Sequence, residues 1–219
     1  MKIIITGATG MVGEGVLLEC LEHQLITEVL SVSRKPGGFI HPKLKEYVVP
    51  DFLSLREGDP SLQGYDACFF CAGKSSLGMK EEDYRRVTYD TTMAFARAVG
   101  PHPQMTFIYV SGGGTDSSEK GRLMWARVKG KTENDLMKLP FKNVFAFRPG
   151  FIEVTRKQKN IPPIFNYFSW LYPVFRTLTP GIITTMTQLG LAMIQATREG
   201  YEKKVIEVKD IRILAGRAE

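Results

Sequence analysis

The residues with most chemical content near the start of this chain are glycines. Thr6-Gly7-Ala8-Thr9-Gly10-Met11-Val12-Gly13 follows the apolar run Ile3-Ile4-Ile5 and opens a segment with helical patterning. A strand, a glycine turn and a helix start, in that order, let backbone approach a phosphate. Gly7 permits the tight turn, Gly10 leaves the room a pyrophosphate needs, and Gly13 lets helix pack on strand. Backbone N–H groups around Thr9, Gly10, Met11 and Val12, helped by the helix dipole, then face the anion.

The next chemical signal is basic. The second strand ends Val32-Ser33-Arg34-Lys35 with no carboxylate. In dinucleotide sites an Asp or Glu about 20 residues beyond the glycines takes the ribose hydroxyls of NAD, whereas an Arg there accommodates the 2′-phosphate of NADP. Arg34 can grip phosphate with two N–H groups and stack on adenine, and Lys35 adds charge. This favours NADP, with NAD the lesser alternative; an ordinary basic turn before Pro36-Gly37-Gly38 is the plainer one.

Both features need a scaffold, and strand patterns alternate with helix patterns along the whole chain. Strands are expected near 2–6, 28–33, 46–49, 66–71, 105–110, 143–147 and 204–208, and helices near 12–23, 81–99, 121–138 and 186–199, with a short one after Asp210. That alternation predicts an α/β fold, a doubly wound parallel sheet. At 219 residues one domain spanning 1–219 is expected, with 151–185 as a substrate, lid or interface insertion. Within it, 161–175 is apolar, aromatic and uncharged. It is shorter than the roughly 20 apolar residues of a membrane span and carries three prolines. It is expected to be a packing helix or a lid over an apolar small molecule, with peripheral membrane or protein docking the weaker reading.

Composition narrows the classes. The net charge of +6 comes from scattered Lys and Arg with no nucleic-acid-binding signature, so nucleic acid is not expected as a partner. Cys20, Cys68 and Cys71 are too few for a disulfide framework. Cys68 and Cys71 lie in an apolar strand whose alternation sends them to opposite faces, and no metal site is expected. Met1-Lys2 runs straight into a strand, which reads as a cytoplasmic protein. The oligomeric state is left open.

The spacing T-G-x-x-G-x-x-G resembles that of the extended and atypical short-chain dehydrogenases, NAD(P)-binding Rossmann proteins that include epimerase-like members. Asp51-Phe52 resembles the family's acidic position beside adenine, Cys71-Ala72-Gly73 its fourth-strand turn, and Arg148-Pro149-Gly150 its turn after the sixth strand. Val87-Thr88-Tyr89-Asp90 and Val128-Lys129-Gly130 resemble the Tat-interactive-protein branch. The resemblance implies that Asp51, Phe52, Ala72, Gly73, Lys129, Arg148, Pro149 and Gly150 touch a dinucleotide. It also implies a catalytic Ser with a Tyr and a Lys spaced Y-x-x-x-K, one helical turn apart.

Here the pattern breaks. Lys129 is in place, but the Tyr position is Trp125, whose indole donates a hydrogen bond and exchanges no proton near neutrality. The serine pair reads Ser111-Gly112, with the catalytic member aligned on Gly112. Lys129, Ser111 and Trp125 are therefore the candidate catalytic group of a degenerate triad, and Lys129 also suits the nicotinamide ribose. Two functions remain: an NADP-dependent oxidoreductase or epimerase-like enzyme whose proton passes through Thr115, Asp116, Ser117, Ser118 or water, and a non-catalytic NADP(H)-binding redox sensor.

Overall fold

The computed structural model describes residues 1–155, 157–161 and 180–217, so most of the 161–175 segment lies outside the described residues. Strands β1 (Lys2–Thr6), β2 (Glu28–Ser33), β3 (Leu44–Val48), β4 (Ala67–Phe70), β5 (Thr106–Val110), β6 (Asn143–Arg148) and β9 (Val205–Glu207) form one parallel sheet in the order β3-β2-β1-β4-β5-β6-β9. The order reverses between β1 and β4, and the crevice outside the strand ends at that switch is where such sheets bind ligands. Strands β7 (Phe151–Glu153) and β8 (Ile183–Thr185) pair separately, in parallel.

The apolar runs are buried on both faces. In β1, Ile3 and Ile5 enter one core and Ile4 the other; in β4, Phe69 sides with the first and Cys68 and Phe70 with the second. Cys71 packs against the first core, so the two cysteines do face apart. Helices α1 (Met11–Glu22), α5 (Met186–Glu199) and α6 (Val208–Ala215) contribute to the first core and pack on one another. Helices α3 (Thr91–Val99) and α4 (Met124–Leu136) cover the second.

Three boundaries differ from expectation, each for a local reason. The expected helix 81–99 is α2 (Glu81–Arg85), a π-helical turn (Arg86–Asp90) and α3. Thr91 Oγ1 donates to the Arg86 carbonyl at 2.9 Å and Thr92 Oγ1 to that of Thr88 at 2.5 Å, so hydroxyls share the carbonyls of the widened turn. The helix expected from 121 starts at Met124, because the Asp116 carboxylate takes the Gly121 N–H and Arg127 takes the Gly121 and Arg122 carbonyls. The last helix starts at Val208, ahead of Asp210, since Glu207 caps it and ends β9.

Candidate functional site

At the end of β1 the three glycines have three different jobs. Gly7 lies at φ +74°, and a Cβ there would sit 2.7 Å from the Ala72 backbone nitrogen, so the β1 and β4 turns touch directly. Thr6 Oγ1 accepts the Ala72 N–H at 3.1 Å in the same contact. A Cβ on Gly13 would lie 2.1 Å from the Gly7 carbonyl oxygen, which fixes glycine there for packing. Gly10 is exposed, and its Cβ would meet only the Gly7 oxygen, at 3.4 Å. Its outer side is open. Gly10 also N-caps α1 without a side chain, leaving the first-turn N–H groups around Met11 and Val12 without a side-chain acceptor.

Behind this turn lies a group that sequence reasoning missed. Glu14 is fully buried, and its two oxygens accept the backbone N–H groups of Lys159 at 2.8 Å and Asn160 at 2.6 Å. Gln158 donates to the Met11 carbonyl at 2.6 Å. The stretch after β7 is thereby fastened to the first turn of α1. Nothing in the local sequence marks so distant a contact.

Along the edge, Arg34 and Lys35 follow β2 as exposed side chains with no partner among the described residues. The Gly37 N–H is held by Glu46 at 2.7 Å, which shapes the loop beyond them. Asp51 accepts the Leu53 N–H at 3.0 Å and caps a short 3-10 turn. Phe52 corrects the expectation: its ring is buried against Phe95, 5.0 Å between centroids, so the side chain belongs to the core. Gly73 has open space on its Cβ side.

Past the switch point, the ends of β5, β6 and β9 enclose a cleft of about 750 Å³. Trp125 and Lys129, one turn apart on α4, both line it, as do Ser111, Gly112, Pro149 and Gly150. The Lys129 ammonium donates to the Ser111 carbonyl. Burial lowers its pKa below the usual lysine value, partly opposed by Glu133. The Trp125 ring edge lies against Gly114, where a Cβ would come within 3.3 Å of it.

The other proton-transfer candidates are engaged elsewhere. Ser111 lines the cleft but is buried, and its hydroxyl donates to the Phe147 carbonyl at 3.2 Å, which argues against the catalytic role expected of it. Thr115 Oγ1 donates to the Gly112 carbonyl at 2.8 Å. Asp116 accepts from Ser118 and Gly121, which hold its carboxyl below the usual aspartate range. Ser117 Oγ accepts from Arg148 at 2.5 Å. Arg148 departs from expectation too. Its guanidinium pairs with Glu133 inside the protein and reaches Glu207 at 3.3 Å, so it ties α4 to β9 and is not free for a dinucleotide. Gly150 is glycine because a Cβ would strike the Ile182 carbonyl at 2.0 Å. Gly130 likewise admits the Asp116 carbonyl, which a Cβ would meet at 1.8 Å. Among the described residues no group of three His, Cys, Asp or Glu could hold a metal ion.

No family model matches the chain. It is 28% identical over 160 residues to protein HTATIP2 of Rattus norvegicus, covering 72% of this chain and 65% of that one. It is 27% identical over 164 residues to the mitochondrial protein FMP52 of Debaryomyces hansenii, covering 73% and 70%. This chain therefore spans a little under two thirds of the rat relative. Its fold matches a UDP-glucuronic acid 4-epimerase from Bacillus cereus solved in complex with NAD, at a TM-score of 0.64 and 15% identity, covering 95% and 76%. The chain is thus similar in sequence to HTATIP2 and FMP52 and shares the fold of a nucleotide-sugar epimerase, in keeping with the resemblance to the atypical short-chain dehydrogenases. Against the Y-x-x-x-K spacing that the resemblance implies, the lysine is present as Lys129 and the Tyr position holds the indole of Trp125. No helix among the described residues is long and apolar enough to cross a membrane.

Proposed function

We propose that the chain binds a nicotinamide dinucleotide, NADP(H) in preference to NAD(H), without the phenol-based proton relay of its family. The open side of Gly10 and the uncapped start of α1 suit a pyrophosphate. Arg34 and Lys35 suit a 2′-phosphate; Asp51 follows β3 on the outer side of β2, and Ala72 and Gly73 follow β4, between the glycine turn and the cleft. Lys129, with Pro149 and Gly150 lining the same cleft, suits the nicotinamide ribose. Such a cofactor supplies hydride at the nicotinamide ring; this chain's residues orient it and restrict water.

One observation carries the reading: Trp125 stands on the cleft wall one turn before Lys129, while Ser111, Thr115, Asp116, Ser117 and Ser118 have their hydroxyls or carboxylate bonded within the protein. The function this supports is a redox-state-dependent binder of NADP(H). A second reading, an oxidoreductase or epimerase-like enzyme, is favoured by Lys129 alone, whose desolvated ammonium gives up its proton more readily than a free lysine. Calorimetric titration with NADPH, NADP, NADH and NAD tests the proposal. Tighter binding of the phosphorylated pair supports it, and no binding of any of the four removes it.

A further inference from the structure

The turn that carries Arg34 and Lys35 is fastened at both ends. Ser33, the last residue of β2, is 4% exposed, and its carbonyl accepts the Val49 N–H at 2.9 Å, so it is anchored to the chain just past β3. Its hydroxyl donates to the Lys35 carbonyl at 2.6 Å, which carries the anchor over Arg34. At the other end the Glu46 carboxylate, from β3, accepts the Gly37 N–H at 2.7 Å. Gly37 leaves room for this approach: a Cβ there would stand 3.0 Å from the Glu46 oxygen and 3.3 Å from the Phe39 ring. Phe39 then packs against the first core, where the loop rejoins the body of the protein.

Both fastenings are made to backbone. The Arg34 and Lys35 side chains between them are exposed and have no partner among the described residues. A loose surface turn would have to lose backbone freedom, at a cost for each residue fixed, before two cations could close on one phosphate. Here that ordering is already done, and both cations stay available. A carboxylate beside a phosphate site opposes it by charge, so Glu46 suits such a site only through the backbone that it holds.

Resting on the 2′-phosphate reading of Arg34 and Lys35, we propose that Ser33 and Glu46 are positioning residues for that group: neither touches the ligand, and each holds the turn so that the two cations meet a 2′-phosphate already in place. Both should therefore act on the phosphorylated dinucleotide alone, and only while Arg34 and Lys35 are present.

Calorimetric titration of NADPH and NADH into wild type, Ser33→Ala and Glu46→Ala tests this. Each substitution removes one hydrogen bond, whose net worth corresponds to a loss of about two- to tenfold in NADPH affinity. NADH should be unaffected, and neither substitution should weaken NADPH further once Arg34 and Lys35 are both changed to alanine. Glu46→Gln keeps an acceptor for the Gly37 N–H and drops the opposing charge, so it should bind NADPH at least as tightly as wild type. Unchanged NADPH affinity in either alanine variant, equal losses for NADH, losses that persist without the two cations, or a Glu46→Gln variant as weak as Glu46→Ala would overturn the proposal and leave the 2′-phosphate reading standing. Wild type with no preference for NADPH over NADH would remove that reading, and this inference with it.

Discussion

The Lys129 ammonium is held by the Ser111 carbonyl oxygen in the wall of the cleft, one helical turn from the Trp125 indole. A backbone carbonyl fixes the position of the charge but supplies no proton. Burial of that ammonium lowers its pKa from 10.5. Between the lowered value and 10.5 the unfolded chain holds a proton that the folded chain has released, so stability gains with rising pH in that window. Thermal melts from neutral to alkaline pH should show wild type gaining stability relative to Lys129→Met. NADPH affinity, which uses the charged form, should fall over the same range. A constant difference between the two proteins would show that the ammonium is not desolvated.

Gly10 and Gly13 should separate binding from folding. Gly13→Ala drives a Cβ to 2.1 Å from the Gly7 oxygen, an overpacking that costs at least about 1–3 kcal/mol in denaturant melts. Gly10→Val meets mainly open space, so the protein should stay folded and lose both dinucleotides. Retained affinity in folded Gly10→Val would place the cofactor elsewhere.

Arg34 should distinguish the two cofactors. Its charge-assisted contact to a 2′-phosphate is worth about 1.5–3 kcal/mol, so Arg34→Ala should weaken NADPH roughly tenfold or more and leave NADH nearly unchanged in calorimetry. Equal losses for both would mean that Arg34 does not read the 2′-phosphate.

The Glu133 and Arg148 pair should behave as a buried ion pair. Glu133 is 1% exposed and Arg148 9%, so Glu133→Ala leaves a buried cation with Glu207 and Ser117 as its remaining partners. A loss of about 3–5 kcal/mol in urea melts is expected. Glu133→Leu combined with Arg148→Met should recover much of it, and a double variant no better than Glu133→Ala would contradict this account.

The sheet was legible because its evidence is local: apolar strands alternate with amphipathic segments, and the glycine turn sits between β1 and α1. Arg34, Gly10 and Lys129 could be picked out as candidates for the same reason, since the roles proposed for them rest on neighbours in the chain. Glu14, Gln158 and the ion pair of Arg148 could not. Glu14 and Asn160 are 146 positions apart, and only tertiary packing turns a first-turn carboxylate into an acceptor for that loop. Arg148 sits in a family-like turn, yet Glu133 claims its guanidinium from another helix. The strands β7 and β8, of three residues each, pair only with each other across residues 154–182, a contact that no local pattern marks.

Trp125 decides between the two functional readings. Restoring the family's groups with Trp125→Tyr and Gly112→Ser should fail, because Gly112 lies at φ +112°, a conformation that serine adopts only under strain. The direct measurement is therefore on the wild type: protein saturated with NADPH, mixed with a broad panel of aldehydes and ketones, and followed by cofactor absorbance. The NADPH should bind and remain reduced with every carbonyl tested. Steady oxidation that persists in Trp125→Phe and disappears in Lys129→Met would contradict the binder reading and make Lys129 the proton donor of an enzyme.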